Sequence, residues 1–266
     1  MLPVVEMFSS IQGEGKYTGV PSFFVRVSGC NLRCVFKDSR CDTPYTSFEP
    51  EKTPYKEMQE LVEAFKVMRN NSPRTKHLVI TGGEPLLYKK DLEEFLSQVY
   101  EEEMVITIET NGTMPILNPL AKNFKVDLYS VSPKLSTSVD QDCKFISEAQ
   151  RNHHNDLRIN YKNLLDIATT SNDYQFKFVY SGPECITEIE DIYNKMAALV
   201  DAKDDEYLRI FYWKNHPTKH TMLMPEGITQ DQLSKSRQEI ADICIQRGWM
   251  YTDRTHIMIW GDKRGV

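Results

Sequence analysis

Short apolar runs alternate with amphipathic stretches along most of this chain, and several of the runs end in turns that carry cysteine, glycine or carboxylate side chains. Pro21–Val27 (PSFFVRV) reads as a strand that leads into Gly29 and Cys30. His77–Thr81 (HLVIT) is a second strand and ends at Gly82 and Gly83. Met104–Glu109 (MVITIE) is a third and ends at Asn111 and Gly112. Leu128–Val131, Gln175–Val179 (QFKFV), Tyr207–Trp213 and a closing His256–Trp260 extend the series. Between them, Met58, Leu61, Val62 and Phe65 fall at helical spacing, with Thr53 as the expected N-cap and Pro54 in the first turn. Leu92, Phe95, Leu96 and Val99 mark a second helix, and Ile189, Ile192, Tyr193 and Met196 a third. A last helix is expected over Gln230–Arg247, with Gly248 as its C-terminal cap. Strands alternating with helices imply parallel pairing and an α/β fold, whose ligands gather at the carboxyl ends of the strands. The polar stretch Leu135–Asn172 breaks the rhythm and reads as an insertion or excursion.

The 266 residues suit one large domain, residues 1–266, better than two. With a net charge of −6 and a pI near 5.6, the chain has no general attraction for nucleic acid, so a small-molecule substrate is expected. Met1–Ser10 lacks the cationic and apolar regions of a signal peptide, and no window is long and apolar enough for a membrane helix. A cytoplasmic location is the expectation.

Cysteine placement is uneven. Cys30, Cys34 and Cys41 crowd one short segment, whereas Cys143, Cys185 and Cys244 are scattered and read as ordinary thiols. In a reducing compartment a tight group is more often metal-binding than disulfide-bonded. Three thiolates on one loop can hold three corners of an iron–sulfur cube and leave one iron open, as a reactive cluster needs. Structural zinc is the other reading, and it requires a fourth ligand that the neighbourhood does not supply.

Gly29-Cys30-Asn31-Leu32-Arg33-Cys34, together with Thr81-Gly82-Gly83-Glu84-Pro85 after a strand, resembles the cluster loop and GGEP turn of the radical S-adenosylmethionine (SAM) superfamily. Further segments resemble one family within it, the 7-carboxy-7-deazaguanine synthases. These are Ser10–Gly15 (SIQGEG), Phe24–Cys30 (FVRVSGC), Cys41-Asp42-Thr43, Glu109–Thr113 (ETNGT), Ser132-Pro133-Lys134, Met224–Gly227 (MPEG) and the terminal Trp260–Val266 (WGDKRGV). The resemblance implies an incomplete (β/α) barrel of parallel strands, assembled as a homodimer. It also implies a ring contraction in which 6-carboxy-5,6,7,8-tetrahydropterin becomes 7-carboxy-7-deazaguanine and ammonia, on the route to queuosine or related 7-deazaguanines. The implied cofactors are a 4Fe-4S cluster, SAM and Mg2+, with electrons from a flavodoxin-type or other reductant.

Matched position by position, the resemblance gives the cluster to Cys30, Cys34 and Cys41 and the magnesium to Thr43. It gives the pterin to Ile11, Gln12, Gly13, Arg26 and Thr81, and SAM to Gly83, Ser132, Pro133 and Lys134, with Glu109 at the SAM ribose. Each residue type also has a plainer use: Arg26 in an ion pair, Glu109 as a satisfied strand-end carboxylate, Thr43 in a turn, Lys134 in solvent. His153 and His154 are expected to face solvent, and Lys177 has no assigned role. The chain departs from the superfamily between the second and third cysteines, where two residues are usual and residues 35–40 stand here. Because Asp42 and Thr43 still follow Cys41, Lys37–Arg40 reads as a four-residue insertion. The rival classes are a glycyl-radical-enzyme activase, a non-catalytic binding relative and a zinc-stabilised binding domain.

Overall fold

The computed structural model describes residues 1–36, 39–117, 123–140 and 142–266, with only the backbone of Ser39. In chain order the first elements are β1 (Val4–Ile11), β2 (Pro21–Val27), a small hairpin of β3 (Val35–Phe36) and β4 (Ser39–Arg40), and α1 (Pro44–Ser47). Next come α2 (Met58–Asn71), β5 (His77–Gly82), α3 (Lys89–Val99), β6 (Val105–Thr110) and β7 (Leu128–Val131). The remainder is α4 (Glu148–Leu157), α5 (Tyr161–Thr170), β8 (Tyr174–Tyr180), α6 (Glu184–Asp201), α7 (Glu206–Lys214), β9 (Thr221–Pro225), α8 (Gln230–Ser234), α9 (Arg237–Arg247), β10 (Met250–Tyr251) and α10 (Thr255–Trp260).

One eight-stranded sheet runs in the order β1-β2-β5-β6-β7-β8-β9-β10. β1 is antiparallel to β2 and every other neighbouring pair is parallel. The two outer strands do not close on each other, so the architecture is the expected incomplete (β/α) barrel.

Strand parity divides the sheet into two chemistries. Phe23, Val25 and Val27 on β2, Leu78 and Ile80 on β5, Ile106 and Ile108 on β6, and Phe176 and Phe178 on β8 all join the main apolar core with the helices. Their neighbours point into the barrel, and near its floor these are polar and mutually satisfied. Ser22 Oγ and Thr107 Oγ1 each lie 2.8 Å from a different ring nitrogen of His77, and Gln175 Nε2 donates to Ser130 Oγ at 2.8 Å. Buried polar groups survive there because each has a partner. No helix among the described residues is long and apolar enough to cross a membrane.

Several elements differ from the sequence reading. Tyr207–Trp213 is helical, not extended: Asp205 caps it by accepting from Leu208 N at 2.8 Å, and Leu208 and Tyr212, one turn apart, are its inward residues. His256–Trp260 is the short helix α10, of which only Ile257 is buried. Met258, Ile259 and Trp260 are at the surface, and a surface run of that kind imitates a strand. The last helix is broken into α8 and α9 at Lys235–Ser236, although Gly248 does cap it in the left-handed conformation (φ 67°). Thr53 precedes α2 instead of capping it; its Oγ1 accepts from Tyr55 N at 3.2 Å, and the helix starts at Met58. Within the polar stretch 135–172, α5 is part of the main fold and not an excursion. Leu164, Leu165 and Ile167 of α5 belong to the main core, so α5 serves as the crossover helix between β7 and β8.

Candidate active site

The parity that makes the floor polar also arms the carboxyl end of the barrel. Arg26 of β2 pairs in register with Thr81 of β5, and Glu109 sits on the next strand, β6. All three line a cavity of about 540 Å3 at the strand ends. Thr81 Oγ1 donates to Glu109 Oε2 at 2.6 Å, and Gln12 Nε2 donates to Glu109 Oε1 at 3.1 Å. Gln12, Thr81 and Glu109 therefore form one hydrogen-bonded group in the wall.

The cysteine loop forms the adjoining wall. Between Cys34 and Cys41, Val35 of β3 pairs with Arg40 of β4 and Phe36 with Ser39. The Cys41 N–H donates to the Cys34 carbonyl at 3.0 Å, so the chain leaves and returns to the same place. Lys37, the first residue of the inferred insertion, lies outside the described residues, as does Asp38. The GGEP turn packs directly against this loop. The Gly83 N–H donates to Val27 O at 3.1 Å and the Glu84 N–H to Gly29 O at 2.9 Å. A Cβ at Gly83 would lie 2.0 Å from Gly29 O and 3.0 Å from Cys30 Cβ, so only glycine allows this approach.

Burial pushes the Cys30 thiol up to about 11, with the Leu32 N–H opposing it, and pushes Cys34 higher still. Cys41 is also raised, by burial and then by the Asp42 carboxylate. Cys41 adds to the shift at both Cys30 and Cys34, and the Lys134 ammonium opposes it at all three. Such thiols ionise only when positive charge joins them, which is what metal coordination provides. Among the described residues no three His, Cys, Asp or Glu side chains converge on a single ion. The three thiols line one cavity, an arrangement that suits the wide footprint of a cluster.

The motif carboxylate Glu84 is fully buried and turned away from the cavity. It accepts from Leu86 N at 3.0 Å, Asn111 N at 2.7 Å and Thr110 Oγ1 at 2.8 and 2.9 Å, clasping the GGEP and ETNGT turns together. Asn31 of the cysteine loop completes the clasp, donating to Thr113 Oγ1 at 2.8 Å and accepting from Asn111 Nδ2 at 3.0 Å.

Ile11, Gln12 and Gly13 reach the cavity from the end of β1, and Gly83, Ser132 and Lys134 reach it from the other side, where Lys134 Nζ donates to Ser132 Oγ at 2.9 Å. Pro133 is buried between these two and does not line the cavity. Thr43 lines it with its Oγ1 3.4 Å from both Cys41 Sγ and Asp42 Oδ1. Arg26 is ion-paired: Nε donates to Glu6 Oε1 at 2.6 Å. No described residue accepts from its two terminal amino groups.

Sequence reasoning missed a set of charges at the cavity mouth. Lys177 does point inward, is 6% exposed and pairs with Glu14, the carboxylate of QGEG. Arg254 donates to Glu14 Oε1 at 3.0 Å, to Gly227 O at 2.7 Å and to Asp42. Burial alone would raise the Glu14 pKa; the charges of Lys177 and Arg254 outweigh it and hold the carboxylate ionised. Glu14 and Asp42 had a signal, since each stands inside a motif, but Arg254 had none. His154 is also corrected. It is buried, not solvent-facing: its Nδ1 accepts from the Arg33 N–H at 3.1 Å and its Nε2 lies 3.1 Å from Ser138 Oγ, which fixes the back of the cysteine loop.

An open barrel with a three-thiol loop, a glycine turn against it and a cavity at the strand ends defines a radical SAM protein, and the radical SAM superfamily model matches residues 24–182. A 7-carboxy-7-deazaguanine synthase of Halobacterium salinarum is 35% identical over 98% of this chain and 91% of that protein. One of Rhodopirellula baltica is 33% identical over 100% of this chain and 89% of that protein. The chain belongs to the 7-carboxy-7-deazaguanine synthase family. The crystal structure of QueE from Escherichia coli shares the fold, with a TM-score of 0.55 at 23% identity over 96% of this chain and 94% of that one. Membership brings with it a 4Fe-4S cluster and SAM.

Proposed function

We propose that this chain, acting as one domain over residues 1–266, converts 6-carboxy-5,6,7,8-tetrahydropterin to 7-carboxy-7-deazaguanine with release of ammonia. The observation that carries the reading is the single cavity wall in which Gln12, Thr81 and Glu109 hydrogen-bond together beside the three-thiol loop. A flat, polar heterocycle is recognised by fixed donors and acceptors of that kind.

Cys30, Cys34 and Cys41 would hold the cluster, and Gly83, Ser132 and Lys134 would form the SAM side of the site, with Pro133 buried between the last two as their support. When bound, the cluster would supply the electron for reductive cleavage of SAM. Arg26, which lines the cavity and engages Glu6 through Nε, would bind the substrate carboxylate through its terminal amino groups as a charge-assisted fork. Ile11, Gln12, Gly13 and Thr81 would position the pterin. Glu109, tied to Gln12 and Thr81, would meet the SAM ribose hydroxyls and set the orientation of both neighbours. Thr43 would present a hard hydroxyl oxygen to Mg2+, a donor suited to that ion. The working state would be a cytoplasmic homodimer served by a flavodoxin-type or other reductant.

The test is anaerobic reconstitution with iron and sulfide, followed by dithionite, SAM and the pterin, with products read by mass. The deazapurine product is expected. SAM cleavage without it would leave the superfamily assignment standing and refute this substrate.

A further inference from the structure

Two guanidiniums share the carboxylate of Glu6. Arg26 Nε donates to Oε1 at 2.6 Å, and Arg264 Nε donates to Oε2 at 2.8 Å. The Tyr45 hydroxyl adds a bond to Oε1 at 3.1 Å. Arg264 also donates to both oxygens of Glu51, at 2.9 and 2.8 Å, and its guanidinium carbon lies 3.6 Å from the centre of the Tyr45 ring. A planar cation held by two carboxylates and stacked on an aromatic ring is fixed in position and orientation. Arg264 belongs to the terminal segment Gly261–Val266, which lines the cavity. Among the described residues it is the segment's only side chain with a hydrogen bond or ion pair.

We propose that Arg264 is a positioning residue: it latches the terminal segment over the cavity and, through Glu6, keeps Arg26 oriented toward a substrate carboxylate. The second half rests on the pterin reading above. Glu6 has two oxygens and two claimants. While Arg264 occupies Oε2, Arg26 engages Glu6 through Nε alone and keeps its terminal amino groups for a ligand. With Arg264 gone, Glu6 is able to take Arg26 as a bidentate pair, which competes with any incoming carboxylate. The latch is therefore also a determinant of affinity for anionic substrates.

The experiment compares the reconstituted wild type with Arg264→Ala, Arg264→Lys and Glu51→Gln. Amide exchange over residues 262–266 reads the latch, and KM for the pterin reads its consequence, with pterin-independent SAM cleavage as the reference. Arg264→Ala should speed exchange of the segment and raise KM by about tenfold each, the sum of two partly exposed ion pairs and a stacked ring. Arg264→Lys and Glu51→Gln should fall between it and the wild type, and SAM cleavage without pterin should stay within about twofold. Unchanged exchange in Arg264→Ala overturns the latch, and faster exchange with unchanged KM overturns the coupling to Arg26. Equal losses in KM and in pterin-independent SAM cleavage also overturn the coupling, because they mark a general structural defect. If no form of the protein turns over the pterin, the exchange measurement still decides the latch while the substrate reading falls.

Discussion

Arg254 and Asp42 lie 212 positions apart in the chain and form an ion pair at the cavity mouth, which ties the C-terminal region to the residue after Cys41. The same guanidinium reaches Glu14 and the Gly227 carbonyl, so three motif segments converge on one side chain. Arg254→Gln should leave two acidic groups short of a partner. Because Asp42 is partly exposed, the expected cost is roughly 2–4 kcal/mol, below that of a fully buried pair. For a protein of this size that lowers the melting temperature by on the order of 5–10 °C. Thiol alkylation of the apoprotein should also show Cys41 reacting faster. An unchanged melt together with unchanged Cys41 reactivity would remove Arg254 from the architecture of the site.

Alanine at Cys30, Cys34 or Cys41 should abolish reductive SAM cleavage, whereas alanine at Cys143, Cys185 or Cys244 should not. The hairpin sharpens this expectation, since the Cys41 N–H to Cys34 O bond fixes where the third thiol returns. For the same reason, Lys37→Cys should not fully rescue Cys41→Ala: Asp42 and Thr43 would fall out of register with the new thiol. Normal cleavage by the Cys41 variant, or complete rescue, contradicts the ligand assignment.

Arg26→Ala should weaken pterin binding much more than SAM binding, by about 2–5 kcal/mol for loss of a buried charge-assisted contact. Lysine should restore only part, because a single ammonium cannot form the fork. Titration of both ligands by calorimetry checks this, and equal losses for the two would reduce Arg26 to the structural partner of Glu6.

Acid should destabilise the fold through its buried histidines. Burial lowers the His77 pKa to about 4, and Ser22 and Thr107 engage its two ring nitrogens. The unfolded value lies near 6.5, so between these limits the unfolded chain binds the extra proton. Stability is thus intact above about pH 6.5 and falls as the pH drops toward 4, by roughly 2 kcal/mol at pH 5 for this one group. His154 shifts in the same direction, also to about 4 and chiefly by burial. The His77→Gln variant should be less stable at neutral pH but show a flatter profile between pH 7 and 5. A profile parallel to that of the wild type contradicts the assignment.

Most of the strands that carry the site were legible because parity and burial are written into them: the central strands read nearly residue for residue. The cysteines, the GGEP turn and the ETNGT turn were legible as motifs, and they stand at strand ends as the fold class requires. Tyr207–Trp213 misled because a run of large apolar residues on a half-exposed helix carries no strong period, and the deciding feature was the cap at Asp205. α5 was hidden by its polar surroundings although its own inward face is apolar. The charged group around Arg254 and Lys177 was out of reach for a different reason. Its members pair across more than 150 positions, and no local pattern encodes such pairing.

The ratio of product to SAM consumed tests the central claim most directly. With reconstituted enzyme, dithionite, excess 6-carboxytetrahydropterin and limiting SAM, 7-carboxy-7-deazaguanine is expected in large molar excess over the SAM lost, because the pterin balances the deazapurine plus ammonia in atoms and electrons and the conversion needs no net oxidant. Consumption of SAM to 5′-deoxyadenosine and methionine without deazapurine would contradict it.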